Sequence, residues 1–403
     1  MDSKHLIIGL LSWLLFSSFQ MPLREDLIYL SYVHDPSSAI TIQWHSNSDY
    51  PISSLRYRKQ GDPNWLEKEG CYLTLLEYDY LIHRVDITDL TPDTSYEFIL
   101  CQSSIIHSFR TLPDHLENNS IKLAIGGDVF ASEKSFYKMA SAVRDRQPHF
   151  VILGGDIVYT DAGSSPMEKI KKWNLFFQAW NRAMRSKEGN LIPMVVVPGN
   201  HDHYRVIHSR IPAEFKDQPF FYFFPCVEGR ITYRSLDLFG SVSFFLLDSH
   251  HFYPIQGSQT EWLKTALMQR SKFPLKIGIY HIPAYPSIGA LNDPISTEIR
   301  RHWCPLFDAY NVKLAFEHHC HTYKRTLPLR NGRIDPQGVI YIGDGCWGKG
   351  ASRIRDTQWF LAKVLPTTCA NILTLYANQA RIEVISDQGD QLDYIELIFL
   401  IIN

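Results

Sequence analysis

The chain has 403 residues and a mass of 46.7 kDa, which is enough for two or three domains of ordinary size. Its 40 Lys and Arg residues nearly balance its 42 Asp and Glu residues, so it lacks the one-sided charge with which proteins bind nucleic acid or anionic membranes over a broad surface. A hydrophobic content of 45% with 20% charged residues indicates a globular chain and excludes a disordered one.

Residues 1–20 predict a signal peptide for export. An apolar run at residues 6–16 follows Lys4, and this length suits a secretory signal better than a membrane anchor. Met21 is an alternative start that would leave the run untranslated. We expect no transmembrane span in the mature chain, and a secreted, periplasmic or cell-surface location.

Residues 21–113 have the pattern of short antiparallel strands. Residues 39–44 and 81–87 alternate apolar and polar side chains, as half-buried strands do. Tyr96 follows the turn at Pro92, where its hydroxyl can bond back to the upstream backbone. With Trp44 on an early strand, this region resembles a fibronectin type III domain, a sandwich that implies no function by itself.

The seven cysteines have no C-x-x-C spacing, so the sequence predicts neither a zinc ribbon nor a dense disulfide framework. Cys71 and Cys101 either bridge two neighbouring strands or are two reduced, buried thiols, and the sequence leaves both interpretations open.

Residues 114–403 form a second predicted domain, in which short apolar strands alternate with helices after a polar linker. Helices are predicted at residues 133–146, 167–186 and 259–270, and final strands lie within residues 372–400. The pattern indicates a layered α/β or α+β domain. The other predicted strands are residues 123–126, 150–153, 194–197, 243–247, 276–280, 313–316 and 339–342.

Polar side chains follow the ends of these strands. The edge of a sheet at which its strands end can gather such side chains into one site, and oxygen and imidazole donors together suit hard to borderline metals. Each residue alone is explained better as a turn cap, a buried histidine or part of a polar loop, so the prediction depends on their joint order. The candidate residues are Asp128, Asp156, Tyr159, Asn200, His201, Asp202, His281, His319 and His321.

This ordered set resembles the calcineurin-like metallophosphoesterases. The motifs are Gly127-Asp128, Gly155-Asp156-x-x-Tyr159, Gly199-Asn200-His201-Asp202, a strand ending in His281, and His319-x-His321. The tyrosine resembles the purple acid phosphatase branch in particular. The similarity covers about residues 27 to 400, including the Gly343-Asp344-Gly345 turn and residues 322–325 after the histidine pair.

The sequence departs from the family's pattern in three respects. Phe130 stands where the family has the glycine of Asp-x-Gly, and His318 stands where it has the glycine before its histidine pair. The histidines that some members carry shortly after His281 are missing. We expect the backbone turn at Phe130 to be satisfied in a different way.

The resemblance implies a two-domain α+β fold, in which a fibronectin type III-like sandwich precedes a four-layer α/β/β/α sandwich. It implies two metal ions, one held by Asp128, Tyr159 and His321. The other would be held by Asn200, His281 and His319, with Asp156 bridging. Because phenolate binds ferric iron well, Tyr159 implies Fe(III) in the first site, with Fe(II), Zn or Mn in the second.

The resemblance further implies a phosphatase of acid-phosphatase type that hydrolyses phosphate monoesters by attack of a metal-bound hydroxide on phosphorus. His201 would protonate the leaving oxygen, and Asp202 would orient its ring. His203 and Tyr204 either line the pocket or belong to a solvated loop.

Two other functions fit the sequence. One is a phosphodiesterase of a related metallophosphoesterase family, and the other is a surface protein that keeps the fold as a scaffold. A Rossmann nucleotide-binding unit is excluded because no G-x-G-x-x-G follows a strand. The expected partner is a small-molecule phosphoester, no nucleic acid is expected, and the sequence does not define the oligomeric state.

Overall fold

The structure is a computed structural model that describes residues 23–74, 80–116, 120–160, 165–202, 219–224, 231–343, 345–354 and 358–399. The signal peptide predicted for residues 1–20, as well as His203, Tyr204 and Asp344, lie outside the described residues. Within the described ranges, no helix combines the length and the apolar character that a membrane crossing requires.

The N-terminal region is a β-sandwich, as its alternating pattern predicts. The Tyr96 hydroxyl accepts a hydrogen bond of 2.9 Å from the backbone N–H of Thr91, as expected from the turn at Pro92. Trp44 is buried and stacks on His83 with 4.9 Å between ring centroids. One sheet contains β1 (Leu23–Ser31), β2 (Ile40–Ser46), β5 (Cys71–Thr74) and β6 (Leu81–Ile87), and the other contains β3 (Ser54–Lys59), β4 (Leu66–Glu69), β7 (Ser95–Leu100) and β8 (His107–Arg110).

Cys71 and Cys101 are both free thiols. Cys71 is exposed on β5 of one sheet, whereas Cys101 follows β7 of the other. The interpretation of these residues as a bridged pair is therefore wrong for this structure. The interpretation as two buried thiols is wrong as well, because Cys71 faces solvent.

The first sheet of the sandwich continues into the second domain. β1 pairs in parallel with a strand of that domain, with Ser31 opposite Met194. The second-domain strands of this sheet are β9 (Ile121–Gly126), β10 (Phe150–Leu153), β11 (Met194–Val196), β21 (Cys369–Leu375), β22 (Gln379–Ser386) and β23 (Gln391–Ile398). The result is one sheet of ten strands in the order β23-β22-β21-β9-β10-β11-β1-β2-β6-β5.

A seven-stranded sheet packs against this one. Ile125 and Leu123 of the first sheet share a buried core with Phe244, Ile277 and Phe316 of the second. The second sheet contains β12 (Arg234–Leu238), β13 (Val242–Leu246), β14 (Leu275–Ile279), β15 (Leu314–Glu317), β16 (Tyr323–Thr326), β19 (Ile340–Gly343) and β20 (Leu361–Leu365), and β17 (Leu329–Arg330) with β18 (Arg333–Ile334) forms a separate hairpin.

Helices cover the outer face of each sheet. Phe136 and Trp180 pack with Val151 on the outside of the first sheet, and Leu263 and Trp303 pack outside the second. The four-layer α/β/β/α arrangement is thereby confirmed. The helices are α1 (Glu133–Asp145), α2 (Pro166–Ala183), α3 (Pro219–Phe223), α4 (Ser258–Gln269), α5 (Pro294–His302) and α6 (Cys304–Ala309).

Local capping explains where the predicted helices begin. Ser132 caps α1, and Ser165 forms a capping box with Glu168 at the start of α2. α2 ends at Ala183 and not at residue 186, because Arg185 leaves the helix and forms a β-bridge with Leu191.

Helix α2 ties the two regions together. The buried Asn181 side-chain amide donates to the carbonyl oxygens of Ile28, at 3.0 Å, and Glu25, at 3.3 Å, on β1. The Tyr29 hydroxyl donates to the carbonyl oxygen of Phe223 at 2.9 Å. Strand β1 is therefore fixed by its neighbours in the sheet, by the Asn181 side chain of α2 and by the backbone of α3.

We predict that Asn181→Ala lowers the free energy of unfolding by about 1–3 kcal/mol, because it leaves a buried carbonyl oxygen without its donor. Urea unfolding measures the change. Arg182→Ala, at an exposed neighbouring position, is the matched control and should stay within about 0.5 kcal/mol of the parent. Equal stability of Asn181→Ala and the parent would contradict the role of this contact.

Candidate metal centre

The candidate ligands follow strands of both sheets. β9, β10 and β11 run parallel in the first sheet, and β14 and β15 run parallel in the second. Asp128 and Asp156 follow β9 and β10, and His281 follows β14. Because parallel strands end at the same edge of a sheet, these side chains meet where the two edges lie together.

Four of the candidate ligands have left-handed backbone conformations. The φ angles are 57° at Asp128, 50° at Asp156, 72° at His319 and 49° at His321. This region costs a residue other than glycine on the order of 1–3 kcal/mol, and such strain is concentrated at functional sites. The sharp turns direct the polar side chains toward one another at the strand ends.

His318 explains one departure from the family's pattern. Its ring is buried and lies over two glycines. A Cβ at Gly154 would lie 1.8 Å from His318 Nε2, and a Cβ at Gly127 would lie 2.7 Å from the ring. The bulkier residue at position 318 is therefore accommodated by the lack of side chains at these two positions.

The departure at Phe130 also has a structural explanation. The left-handed turn occurs at Asp128, and the chain then runs beside residues 155–158 as an extended segment. The Phe130 N–H donates to the carbonyl oxygen of Ile157 at 3.0 Å, and its ring packs on Phe136 at 5.5 Å between centroids. The segment needs no glycine at position 130 because its conformation there is not left-handed.

Asp128, Tyr159 and His321 form a first group of donors. The Tyr159 hydroxyl donates to Asp128 Oδ1 and lies 3.0 Å from His321 Nε2. His321 Nε2 lies 2.8 Å from the same carboxylate oxygen. The other oxygen, Asp128 Oδ2, accepts a hydrogen bond from the His319 backbone N–H at 3.0 Å and so links this group to the second.

Asp156, Asn200, His281 and His319 form a second group. His281 Nε2 lies 3.1 Å from Asn200 Oδ1 and 3.3 Å from Asp156 Oδ1. The donor atoms of Asp156, His281 and His319 lie within 4.8 Å of one another. His281 Nδ1 donates to the Gly154 carbonyl oxygen at 2.9 Å, which leaves Nε2 facing the other donors, as in metal-bound histidines.

The charges of these groups are strongly coupled. Burial opposes ionisation of Asp156, but His281 outweighs it and holds the pKa of Asp156 well below its usual range. Burial likewise opposes charging of His281, yet Asp156 and Asp128 raise the pKa of His281 to about 9. Burial and the Asp128 carboxylate raise the pKa of Tyr159. Carboxylate and phenol oxygens at hydrogen-bond distance need a proton or a cation between them, so this set of donors fits metal ions.

His201 and Asp202, predicted as catalytic, lie in different surroundings. The His201 side chain is 39% exposed, with Nε2 3.9 Å from Asp156 Oδ2, and its ring lies 4.5 Å from the Tyr159 ring.

The buried Asp202 carboxylate accepts hydrogen bonds of 2.8 Å from the N–H groups of Ile157 and Gly199. Burial and the Asp156 carboxylate raise the pKa of Asp202 to about 8. Among the described residues, Asp202 accepts hydrogen bonds from backbone amides and not from the His201 ring, so the predicted orienting contact is not formed.

A buried ion pair beneath the site was not predicted from the sequence. Glu317 accepts hydrogen bonds of 2.7 Å from the Tyr280 hydroxyl and the Ala284 N–H, and its second oxygen pairs with Lys324 Nζ. Lys324 also donates to the carbonyl oxygen of Tyr285. These contacts join the segments on either side of His281 to the strand that precedes the histidine pair. Two opposite charges flanking that pair, in an apolar stretch, are the signal that sequence reasoning could have used.

Lys349 was also missed. Its ammonium lies 4.3 Å from the centroid of the Tyr159 ring, at the edge of the first group of donors. No sequence spacing links Lys349 to the site, because it lies 190 positions after Tyr159.

Two family profiles match the chain. The profile described as "Purple acid Phosphatase, N-terminal domain" matches residues 26–111, and "Calcineurin-like phosphoesterase" matches residues 121–323. The second match contains every candidate metal ligand and both candidate catalytic residues. The ten-stranded sheet joins the two matched segments through β1 and β11.

Two curated relatives of this chain are named as acid phosphatases. Purple acid phosphatase 15 of Arabidopsis thaliana is 26% identical over 66% of this chain, and the match spans only 53% of that protein's length. Acid phosphatase type 7 of Mus musculus is 25% identical over 91% of this chain and 88% of its own length.

Solved structures share the fold. The purple acid phosphatase PPD1 from yellow lupin (Lupinus luteus) seeds has a TM-score of 0.76 and 16% sequence identity. The match covers 92% of this chain and 74% of the lupin chain. The structure titled "Structure of PhoD" has a TM-score of 0.69 and 10% identity, and covers 94% of this chain and 90% of its own. At these identities the likeness concerns the fold alone.

We predict that Gly154→Ala disturbs the centre through His318. The added Cβ would overlap the His318 ring, so the free energy of unfolding should fall by about 1–3 kcal/mol and bound metal should be lost. Because the cause is a steric clash, adding His318→Ala should restore part of both. Urea unfolding and elemental analysis measure these changes.

Gly350→Ala is the matched control, because a Cβ there meets nothing within 4 Å. It should behave like the parent. If the double variant binds no more metal than Gly154→Ala alone, the packing of His318 over the glycines does not support the centre.

Proposed function

We propose that this chain, which belongs to the calcineurin-like phosphoesterase family, is a phosphoester hydrolase that works with a dinuclear metal centre. The observation that carries the proposal is that seven oxygen and imidazole donors from both sheets meet in two adjoining groups. The purple acid phosphatase domain at residues 26–111 and the names of the curated relatives favour a phosphate monoester as substrate.

The two groups of donors suggest how the metals are divided. Asp128, Tyr159 and His321 would hold one ion. Asn200, His281 and His319 would hold the other, with Asp156 shared. A phenolate ligand favours Fe(III) at the first position, and the second would take Fe(II), Zn or Mn. When bound, such ions supply positive charge that acidifies water and holds phosphate oxygens.

His201 would protonate the leaving oxygen. Its backbone N–H is fixed by Asp156 Oδ1 at 2.7 Å, while its side chain is partly exposed beside the donors. A side chain in this position reaches a bound substrate without being a ligand. We assign Asp202 a positioning role, because its carboxylate holds the backbone of the loop that carries Asn200 and His201.

The full set of donors argues against a surface protein that keeps the fold only as a scaffold, since a scaffold gains nothing from strained backbone at four metal-ligand positions. Assays of metal-reconstituted protein on a panel of phosphate mono- and diesters test the proposal, with Asp156→Asn as the control. Monoester hydrolysis that is lost in Asp156→Asn supports it. Absence of hydrolysis in protein that holds two metals would contradict it.

We predict that iron-loaded protein shows a visible tyrosinate-to-iron charge-transfer band, which Tyr159→Phe abolishes because it removes the phenolate oxygen. Absorption spectra with elemental analysis test this. Tyr137→Phe, on helix α1, is the control and should keep the band. A colourless protein with full iron content would show that Tyr159 is not an iron ligand.

We predict that His201→Ala lowers kcat by roughly 10²–10⁴-fold for alkyl phosphates, whose leaving group needs a proton. The loss should be much smaller for 4-nitrophenyl phosphate, since 4-nitrophenolate leaves without protonation. Metal content should not change. Steady-state kinetics with both substrates, on protein of measured metal content, provide the test.

His115→Ala is the control for His201→Ala, because His115 is an exposed histidine in the segment between the two matched regions. It should leave both rates unchanged. An equal loss with the two leaving groups, or a loss of metal from His201→Ala, would rule out the acid role.

A further inference from the structure

Lys349 lies at the candidate centre but belongs to neither group of donors. Its ammonium sits 4.3 Å from the centroid of the Tyr159 ring. The hydroxyl of the same tyrosine contacts Asp128 and His321. The His201 ring also lies against Tyr159, at 4.5 Å between centroids. A lysine ammonium and a partly exposed imidazole therefore both contact the ring of one candidate ligand.

The backbone before Lys349 is firmly fixed. The Gly348 N–H donates to the carbonyl oxygen of Asp128 at 2.9 Å, and the Gly348 carbonyl accepts from the Ser135 hydroxyl at 2.6 Å. A Cβ at Gly348 would lie 1.8 Å from the carbonyl oxygen of Val129, so only glycine permits this close approach. The position of Lys349 therefore follows from the structure around Asp128 and not from a free surface loop.

The charge of Lys349 is not used elsewhere in the described part of the chain. The residue is half-buried, and among the described residues no carboxylate lies within ion-pair distance of its ammonium. Arg146 and Arg325, by contrast, pair with Glu383 and Asp393. A half-buried ammonium without a carboxylate partner, held on an aromatic ring, is suited to bind an anion.

We propose that the Lys349 ammonium contacts a non-bridging oxygen of the substrate phosphate and makes the site prefer a phosphate monoester to a diester. This inference rests on the proposed function and deepens it. Above about pH 6 a monoester carries two negative charges on its phosphate and a diester carries one. A fixed positive charge therefore stabilises the bound monoester more than the bound diester.

The test compares metal-loaded parent protein with Lys349→Met and Lys349→Arg at a pH above the second phosphate pKa. Two readouts are taken: kcat and KM for a mono- and a diester of the same leaving group, and the dissociation constant of inorganic phosphate by calorimetry. Lys171→Met, at an exposed position of helix α2, is the control that removes one positive charge away from the ring.

We expect Lys349→Met to lose roughly 10- to 100-fold in kcat/KM for the monoester, mainly through KM, and to bind phosphate more weakly by a similar factor. The diester should lose clearly less. Lys349→Arg should recover most of the monoester rate, and Lys171→Met should resemble the parent.

An unchanged ratio of monoester to diester rates in Lys349→Met, with metal content intact, would overturn the inference. Equal losses for both esters together with loss of metal would overturn it too, because Lys349 would then support the centre and not the substrate. If the parent hydrolyses neither ester, the proposed function fails. Phosphate binding by the same metal-loaded proteins still decides whether Lys349 holds the anion.

Discussion

Burial of the Asp128 and Asp156 carboxylates at one point is the constraint on which the rest of the structure depends. Both are almost fully removed from solvent, and a buried carboxylate is costly unless positive groups and hydrogen bonds surround it. His281 and His321 supply imidazole nitrogens, and backbone N–H groups of His201 and His319 supply donors. These groups follow strands of both sheets, so the two face-packed sheets must bring the same ends of their strands together to provide them.

The residues around the site hold the segments that carry the candidate ligands in position. Gly127 and Gly154 leave room for the His318 ring, and the Glu317–Lys324 pair fixes the segments that carry His281 and the histidine pair. A buried ion pair is weak evidence for stability, because the desolvation of two charges offsets most of their attraction. Here the pair sets positions and not stability, because it joins three segments whose ends must lie close together at the site.

Local patterns predicted much of this arrangement. Near-continuous apolar runs locate β10 and β14, and the polar residue that follows each run marks a candidate ligand, because both features are encoded within a few adjacent positions. Pairing between distant segments is not encoded in this way. Three contacts depend on the assembled tertiary structure: Ser31 with Met194, Glu317 with Lys324, and Lys349 with Tyr159.

Asp202 shows the same limit. Its neighbour in the sequence, His201, suggested a partner, whereas the fold gives it the amides of Ile157 and Gly199.

The shared sheet changes how the N-terminal region relates to the site. β1 lies directly beside β11, the strand that leads into the loop of Asn200 and His201, and α2 packs on β1. Four left-handed residues in the centre store conformational strain, and the surrounding packing must hold them against it. The N-terminal region adds to that packing because its strand β1 lies in the same sheet and covers the β11 edge of the parallel strands that lead to the site.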